Sequence, residues 1–142
     1  MEIVTKTLIN ATPPKVWQIL MNFEDYPNWN PFIKLITGVV KVGNTITVKI
    51  QPPGSKAMTF TPQILALESN KLLLWRGKLL FSGIFDGEHR FELVNSNDGS
   101  TTFLHSENFK GLLVPLFRKQ LDTNTKRGFE AMNIKLKELA ES

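Results

Sequence analysis

The chain has no cysteine, which excludes a disulfide framework, a zinc–thiolate site and a thiol nucleophile. It has only two histidines, so any imidazole chemistry must come from His89 or His105. No apolar run approaches the ~18 residues of a membrane-spanning helix, and no integral membrane association is expected. Met1–Lys6 lacks a basic segment leading into an apolar one, so no secretory signal is read there, and a cytoplasmic location is expected. A strong charge of one sign is also missing. The 17 Lys and Arg against 13 Asp and Glu leave a net charge of +4, and the basic residues are scattered. Their densest groups, Arg118-Lys119 and Lys126-Arg127, flank an apolar stripe and read as a solvated helix face whose stems cover apolar surface. A nucleic-acid partner is not expected, because such a footprint clusters. No linker, repeat or low-complexity stretch divides the 142 residues, and a single domain over 1–142 is expected.

What is present is organised around the last thirty residues. Leu113, Leu116, Phe117, Leu121, Phe129, Met132, Leu136 and Leu139 recur at helical spacing and predict one long helix over 112–141. At ~1.5 Å per residue it runs roughly 40 Å. Glu2–Ile9 alternates as a first strand. Thr12 then supplies an N-cap and Pro13 a first helical residue for a short helix carrying Val16, Trp17, Ile19 and Leu20, with Trp17 in the core. The aromatic stretch 23–32, with prolines at 27 and 31, predicts a turn or helical fragment. Six further strands are predicted over 33–42, 45–50, 57–67, 72–80, 84–94 and 101–109, with Pro62 implying an edge or a bulge. The expected fold is α+β: a seven-stranded curved antiparallel sheet around a long C-terminal helix, with two short helices after the first strand. Space between sheet and helix is left as a pocket.

The sixth strand places Phe85, Gly87, His89, Phe91 and Leu93 on one face, opposite Asp86, Glu88, Arg90 and Glu92. The charged face belongs in solvent, so His89 looks inward. In the seventh strand Phe103, His105, Glu107 and Phe109 share the inward parity. A three-residue turn at Asn97-Asp98-Gly99 pairs residues whose numbers sum to 196, setting His89 opposite Glu107 and Phe91 opposite His105. Cross-strand Cβ atoms lie ~4.5–5.5 Å apart, which puts a histidine–carboxylate hydrogen bond within reach. Three readings of the trio stand: a structural pair satisfying a buried group, a recognition point for the polar end of a ligand, or an acid–base device with a histidine moving a proton and Glu107 orienting it. A metal site is not expected, because all three groups come from one flat wall.

The order of motifs resembles the helix-grip superfamily of START-domain and birch-pollen-allergen-like proteins (SRPBCC, polyketide cyclase/dehydrase-like). Ala11, Pro13, Val16 and Trp17 resemble its opening A-x-P-x-x-V-W. Tyr26, Pro27, Trp29, Asn30 and Pro31 resemble its Y-P-x-W-N-P. Trp75, with His89 and Phe91 in a G-x-H-x-F, resembles its middle strands, and Gly111, Phe129, Met132, Asn133 and Leu136-Lys137 its closing helix. The resemblance implies a helix-grip fold with a deep apolar cavity, and members that bind lipids, sterols, polyketides or aromatic molecules, some of them enzymes. Fold does not carry function, and these enzymes share no one catalytic set, so no residue is carried over as catalytic.

The expected partner is a hydrophobic small molecule, held without a cofactor. The expected wall comprises Trp29, Phe32, Trp75, Phe85, His89, Phe91, Phe103, His105, Glu107, Leu113, Leu116, Phe117 and Phe129. Leu79, Leu80 and Phe81 are apolar at a strand end and turn, which predicts the rim of the cavity mouth. Binding or transport is the favoured reading. A cyclase/dehydrase-like enzyme in the same cavity is the first alternative, and a protein-interaction or chaperone-cofactor module the second. The sequence argues for no particular oligomeric state.

Overall fold

Period-two alternation builds most of the chain into strands. The computed structural model describes residues 1–79 and 81–142. Among these, eight strands form two antiparallel sheets. The larger contains β1 (Glu2–Ile9), β5 (Gln63–Glu68), β6 (Leu72–Leu79), β7 (Phe85–Asn95) and β8 (Thr101–Lys110), in the order β1-β8-β7-β6-β5. The smaller contains β2 (Ile33–Thr37), β3 (Thr47–Ile50) and β4 (Met58–Phe60) in sequence order.

This corrects the expectation of seven strands in one sheet, and Pro62 is the reason. A proline has no N–H to give a ladder, so the run 57–67 breaks before it. β4 pairs with β3 and β5 with β6, each as the edge of its own sheet. The exposed side of β5 is stitched to the 43–46 segment by Gly43 N–H to Ile64 O and Ile64 N–H to Asn44 O, both 2.9 Å. Ile46 N–H to Pro62 O, also 2.9 Å, completes the seam between the sheets. The second strand is shorter than expected because Gly38, with φ of +111°, turns the chain away after Thr37.

After β1, α1 (Pro13–Leu20) starts at Thr12, whose carbonyl, not its hydroxyl, accepts from Val16. Trp17 is in the core. A single 3-10 turn at Phe23–Asp25 leads into α2 (Tyr26–Trp29). The Tyr26 hydroxyl donates to Leu20 O at 2.6 Å, and the Asn30 Oδ1 accepts from Phe32 N–H and Ile33 N–H, which fixes the entry into β2.

The predicted long helix begins at Val114, not 112, and runs as α3 (Val114–Gln120), a π-helical turn over Leu121–Thr125, and α4 (Lys126–Glu141). A π turn takes more residues per turn than an α turn and so rotates the face of α3 relative to that of α4. Val114 and Leu121 therefore join Phe129, Met132, Leu136 and Ala140 on the buried side. Leu116, 75% exposed, and Leu139 fall outside the stripe expected of them.

The helix does not stand off the sheet along its whole length. Gly128 has no side chain where the Phe32 ring lies against α4; a Cβ there would run into that ring. Phe32 packs on Phe129 with centroids 5.3 Å apart. Phe91, Phe103 and Phe129 are fully buried beside them. These rings fill the space under the middle of α4, and what stays open lies toward the other end of the sheet.

Candidate functional site

β7 and β8 pair in the register read from the turn: His89 faces Glu107 and Phe91 faces His105. Asn97 and Gly99, both at positive φ, form the tip that sets this count. All four side chains point inward, and the two histidines are 4% and 0% exposed. The carboxylate and both imidazoles form one hydrogen-bonded line. Glu107 Oε1 lies 2.5 Å from His89 Nδ1, and His89 Nε2 lies 2.8 Å from His105 Nε2. His105 Nδ1 then meets Asn133 Oδ1 at 2.8 Å. The Asn133 amide donates to Thr5 Oγ1 at 2.8 Å, and the Thr5 hydroxyl donates to His105 O at 2.7 Å.

The line has a direction, and its far end sets it. A carbonyl oxygen only accepts, so the single hydroxyl proton of Thr5 goes to His105 O. Thr5 Oγ1 must then accept, which turns the Asn133 NH₂ toward it and the Asn133 Oδ1 toward His105. His105 Nδ1 therefore carries a hydrogen. Burial first, and the charge of His89 second, push the His105 pKa well below the usual histidine value, against the upward pull of its bond to Asn133. His105 is thus neutral, its Nε2 bare, and His89 Nε2–H donates to it. One proton remains to be placed, between His89 Nδ1 and Glu107 Oε1. Without it two lone pairs would face each other at 2.5 Å.

The rings are held by stacking. Trp75 lies on His89 at 5.0 Å with 13° between planes, and Phe129 lies on His105 at 4.1 Å with 3°.

Beside the acid end of this line lies a cavity of about 100 Å³ between the two sheets and the π turn. Its wall is mostly apolar: Phe32, Ile33, Val48, Ile50, Met58, Phe60, Pro62, Trp75, Phe85, Phe109 and Leu121, with Gly77 and Gly87. Lys78, His89, Glu107 and Thr125 are its polar members. Gly77 and Gly87 face each other across β6 and β7. The Glu107 Oε2 occupies the place a side chain on Gly87 would need, so this bare patch of sheet is what admits the carboxylate.

Comparison with known proteins adds a family. A family model described as polyketide cyclase/dehydrase and lipid transport matches residues 1–141. The chain belongs to that family. This polyketide cyclase/dehydrase-type chain is similar in structure to the ZhuI aromatase/cyclase from Streptomyces sp. R1128, at a TM-score of 0.79 and 14% identity, covering 99% of this chain and 93% of that one. A START superfamily protein from Mycobacterium smegmatis is similar at 0.72 and 17% identity, covering 97% and 98%. Norcoclaurine synthase from Thalictrum flavum is similar at 0.72 and 14%, covering 99% and 93%. At such identities the likeness establishes the α+β helix-grip fold. No curated protein matches the sequence.

Within this polyketide cyclase/dehydrase-type domain, the cavity wall overlaps the expected one only in part. Phe32, Trp75, Phe85, His89 and Glu107 line it. His105 is one position behind, reached only through His89. Phe91, Phe103 and Phe129 belong to the plug that closes the deeper space. Trp29 packs edge-on against Tyr26 at 5.2 Å, away from the cavity. Phe117 meets Phe85 from outside, at 5.7 Å, while Leu113 does not reach the wall and Leu116 points into solvent. Of the expected rim, Leu79 and Phe81 are 39% and 75% exposed, and Leu80 lies outside the described residues. The sequence reading missed the contribution of the small sheet, Ile33, Val48, Ile50, Met58 and Phe60. It gave Asn133 no role beyond the closing-helix motif, although a lone amide inside the stripe of Phe129, Met132 and Leu136 is a visible signal. Among the described residues no three histidine or acidic side chains are grouped to hold a metal ion, and no helix is long and apolar enough to cross a membrane.

Proposed function

We propose that the protein binds a small, largely apolar molecule in the cavity beside Glu107. One observation carries the reading: an apolar wall ends on a single acid whose outer oxygen is left free by the histidine holding the inner one. Apolar burial at ~25 cal/mol/Å² supplies affinity, and one placed polar group supplies orientation. The size limits the guest. An engineered cavity of ~150 Å³ admits benzene, so about 100 Å³ takes at most one ring or chain segment, with the rest of the molecule extending through the mouth. Phe81, Leu112 and Leu116 are 75–80% exposed at the end of the molecule where Leu112 N–H bonds Gly83 O, and we assign this apolar tip to ligand entry.

Native mass spectrometry of protein purified from its own host tests the reading. A co-purifying lipid, polyketide or aromatic mass is expected, and His89→Ala is expected to keep binding with less selectivity. Unchanged binding of every ligand by His89→Ala would remove the role given to that residue.

The second reading is a cyclase/dehydrase-like enzyme. The proton shared by Glu107 and His89 at the cavity wall favours it, since a general acid or base must sit within hydrogen-bond reach of the ligand. Turnover that depends on Glu107 separates an enzyme from a carrier.

A further inference from the structure

We infer that the cavity selects molecules whose polar end donates a hydrogen bond, a hydroxyl or an amine, over molecules of the same shape that can only accept one. The inference deepens the ligand-binding reading and rests on it.

The hydrogens along the buried line can be counted. His89 Nε2–H is committed to His105, and the imidazole is clamped by Trp75, so its Nδ1 cannot turn away from Glu107. The 2.5 Å contact between Nδ1 and Glu107 Oε1 holds one proton. Two arrangements are possible, imidazolium with carboxylate or imidazole with carboxylic acid. In both, the hydrogen lies on the Oε1 side, and Oε2 has none. Oε2 is therefore an acceptor whichever way the proton leans. The far end of the line stops at the backbone carbonyl of His105, so no second hydrogen can be passed in from behind.

Oε2 is also the oxygen that meets the guest. It lies over Gly87, in the cavity wall, and no described residue donates to it. Glu107 is 18% exposed at its side chain, against 5% for His89, so the carboxylate and not the imidazole is presented. A hydroxyl or amine completes the set of partners. A carbonyl or ether oxygen in the same place brings lone pair against lone pair and leaves a desolvated acceptor unpaired. Lys78 and Thr125 are the other polar lining groups. Because Lys78 would attract any anion, neutral probes are the fair test.

The experiment is calorimetric or NMR titration of the full chain with phenol, toluene and benzaldehyde, three single-ring probes of closely similar shape. Phenol is expected to bind roughly tenfold or more tighter than benzaldehyde, the range of a hydrogen bond to a charged group, with toluene between them. In Glu107→Leu, which removes the acceptor from the wall, the phenol-to-benzaldehyde ratio is expected to fall toward one. Equal binding of phenol and benzaldehyde by the wild type would overturn the inference and leave the cavity reading standing. A preference that survives in Glu107→Leu would also overturn it. Failure of all three probes to bind would bring down the cavity reading itself. If Glu107→Leu does not fold, the wild-type probe series decides alone.

Discussion

Acidification from pH 7 to 5 should destabilise the protein through one residue, His105. It is fully buried, stacked on Phe129, and neutral because burial and the neighbouring His89 disfavour its charge. Its folded-state pKa is depressed below the ordinary histidine value of 6.5, so the sign is fixed. Above pH 6.5 His105 carries no extra proton in the folded or the unfolded chain, and its contribution to stability is flat. Below it the unfolded chain takes up a proton that the folded one refuses, and unfolding becomes easier. The slope approaches ~1.4 kcal/mol per pH unit for one proton and persists for as long as His105 stays neutral.

Asp98, whose carboxylate accepts from Ser100, and Glu141, bonded to Asn10 and Lys137, have depressed pKa values, and their stabilisation is lost only at lower pH. With an m-value of ~2 kcal/mol/M, the urea midpoint should drop by about 0.7 M per pH unit well below 6.5. His105→Gln should be less stable at neutral pH and should lose that slope. Equal slopes in the two proteins, or ring resonances of His105 titrating near 6.5 in the folded state, would refute the reasoning.

Three further perturbations probe the parts that hold the site. Thr5→Val leaves the Asn133 amide without its acceptor and should cost about 1–3 kcal/mol in denaturant unfolding; ring ¹⁵N shifts should also show His89 and His105 no longer locked in single tautomers. Gly128→Ala puts a methyl into the Phe32 ring and should cost about 1–3 kcal/mol as overpacking, read as a lower Tm. Phe32→Ala removes the ring packed on Phe129 and should cost about 3–5 kcal/mol. It should also join the space under α4 to the existing cavity, so that the variant gains binding of two-ring probes excluded from the wild type.

How much of this is written in the chain depends on distance along it. Strand alternation and the Asn97-Gly99 turn are local signals. They suffice to place His89 against Glu107, because a hairpin register needs only the turn and the pattern. The break at Pro62 is equally local, since a missing N–H announces itself, yet which sheet each half joins is decided by partners elsewhere. The filling of the deep space is not local at all. It depends on Gly128 of the helix meeting Phe32 at the entry to β2, and nothing in either neighbourhood pairs them. The π turn escapes a periodicity reading for a related reason. A shift of one residue is hidden among apolar positions such as Leu113, Leu116 and Leu121, each of which is acceptable on a buried face.

The two non-local features are coupled in their effect on the site. Because Phe32 and Phe129 occupy the middle of the groove, His105 is sealed from the cavity and only the Glu107 end of the hydrogen-bonded line is presented to a guest. Because the π turn carries Leu121 and Thr125 onto the inner side, the remaining space is closed above by helix and stays narrow. A wide cavity would let water pair with Oε2 and weaken any preference among ligands. In a narrow apolar one, an unpaired acceptor is costly, and that cost is what turns one carboxylate oxygen into a selector.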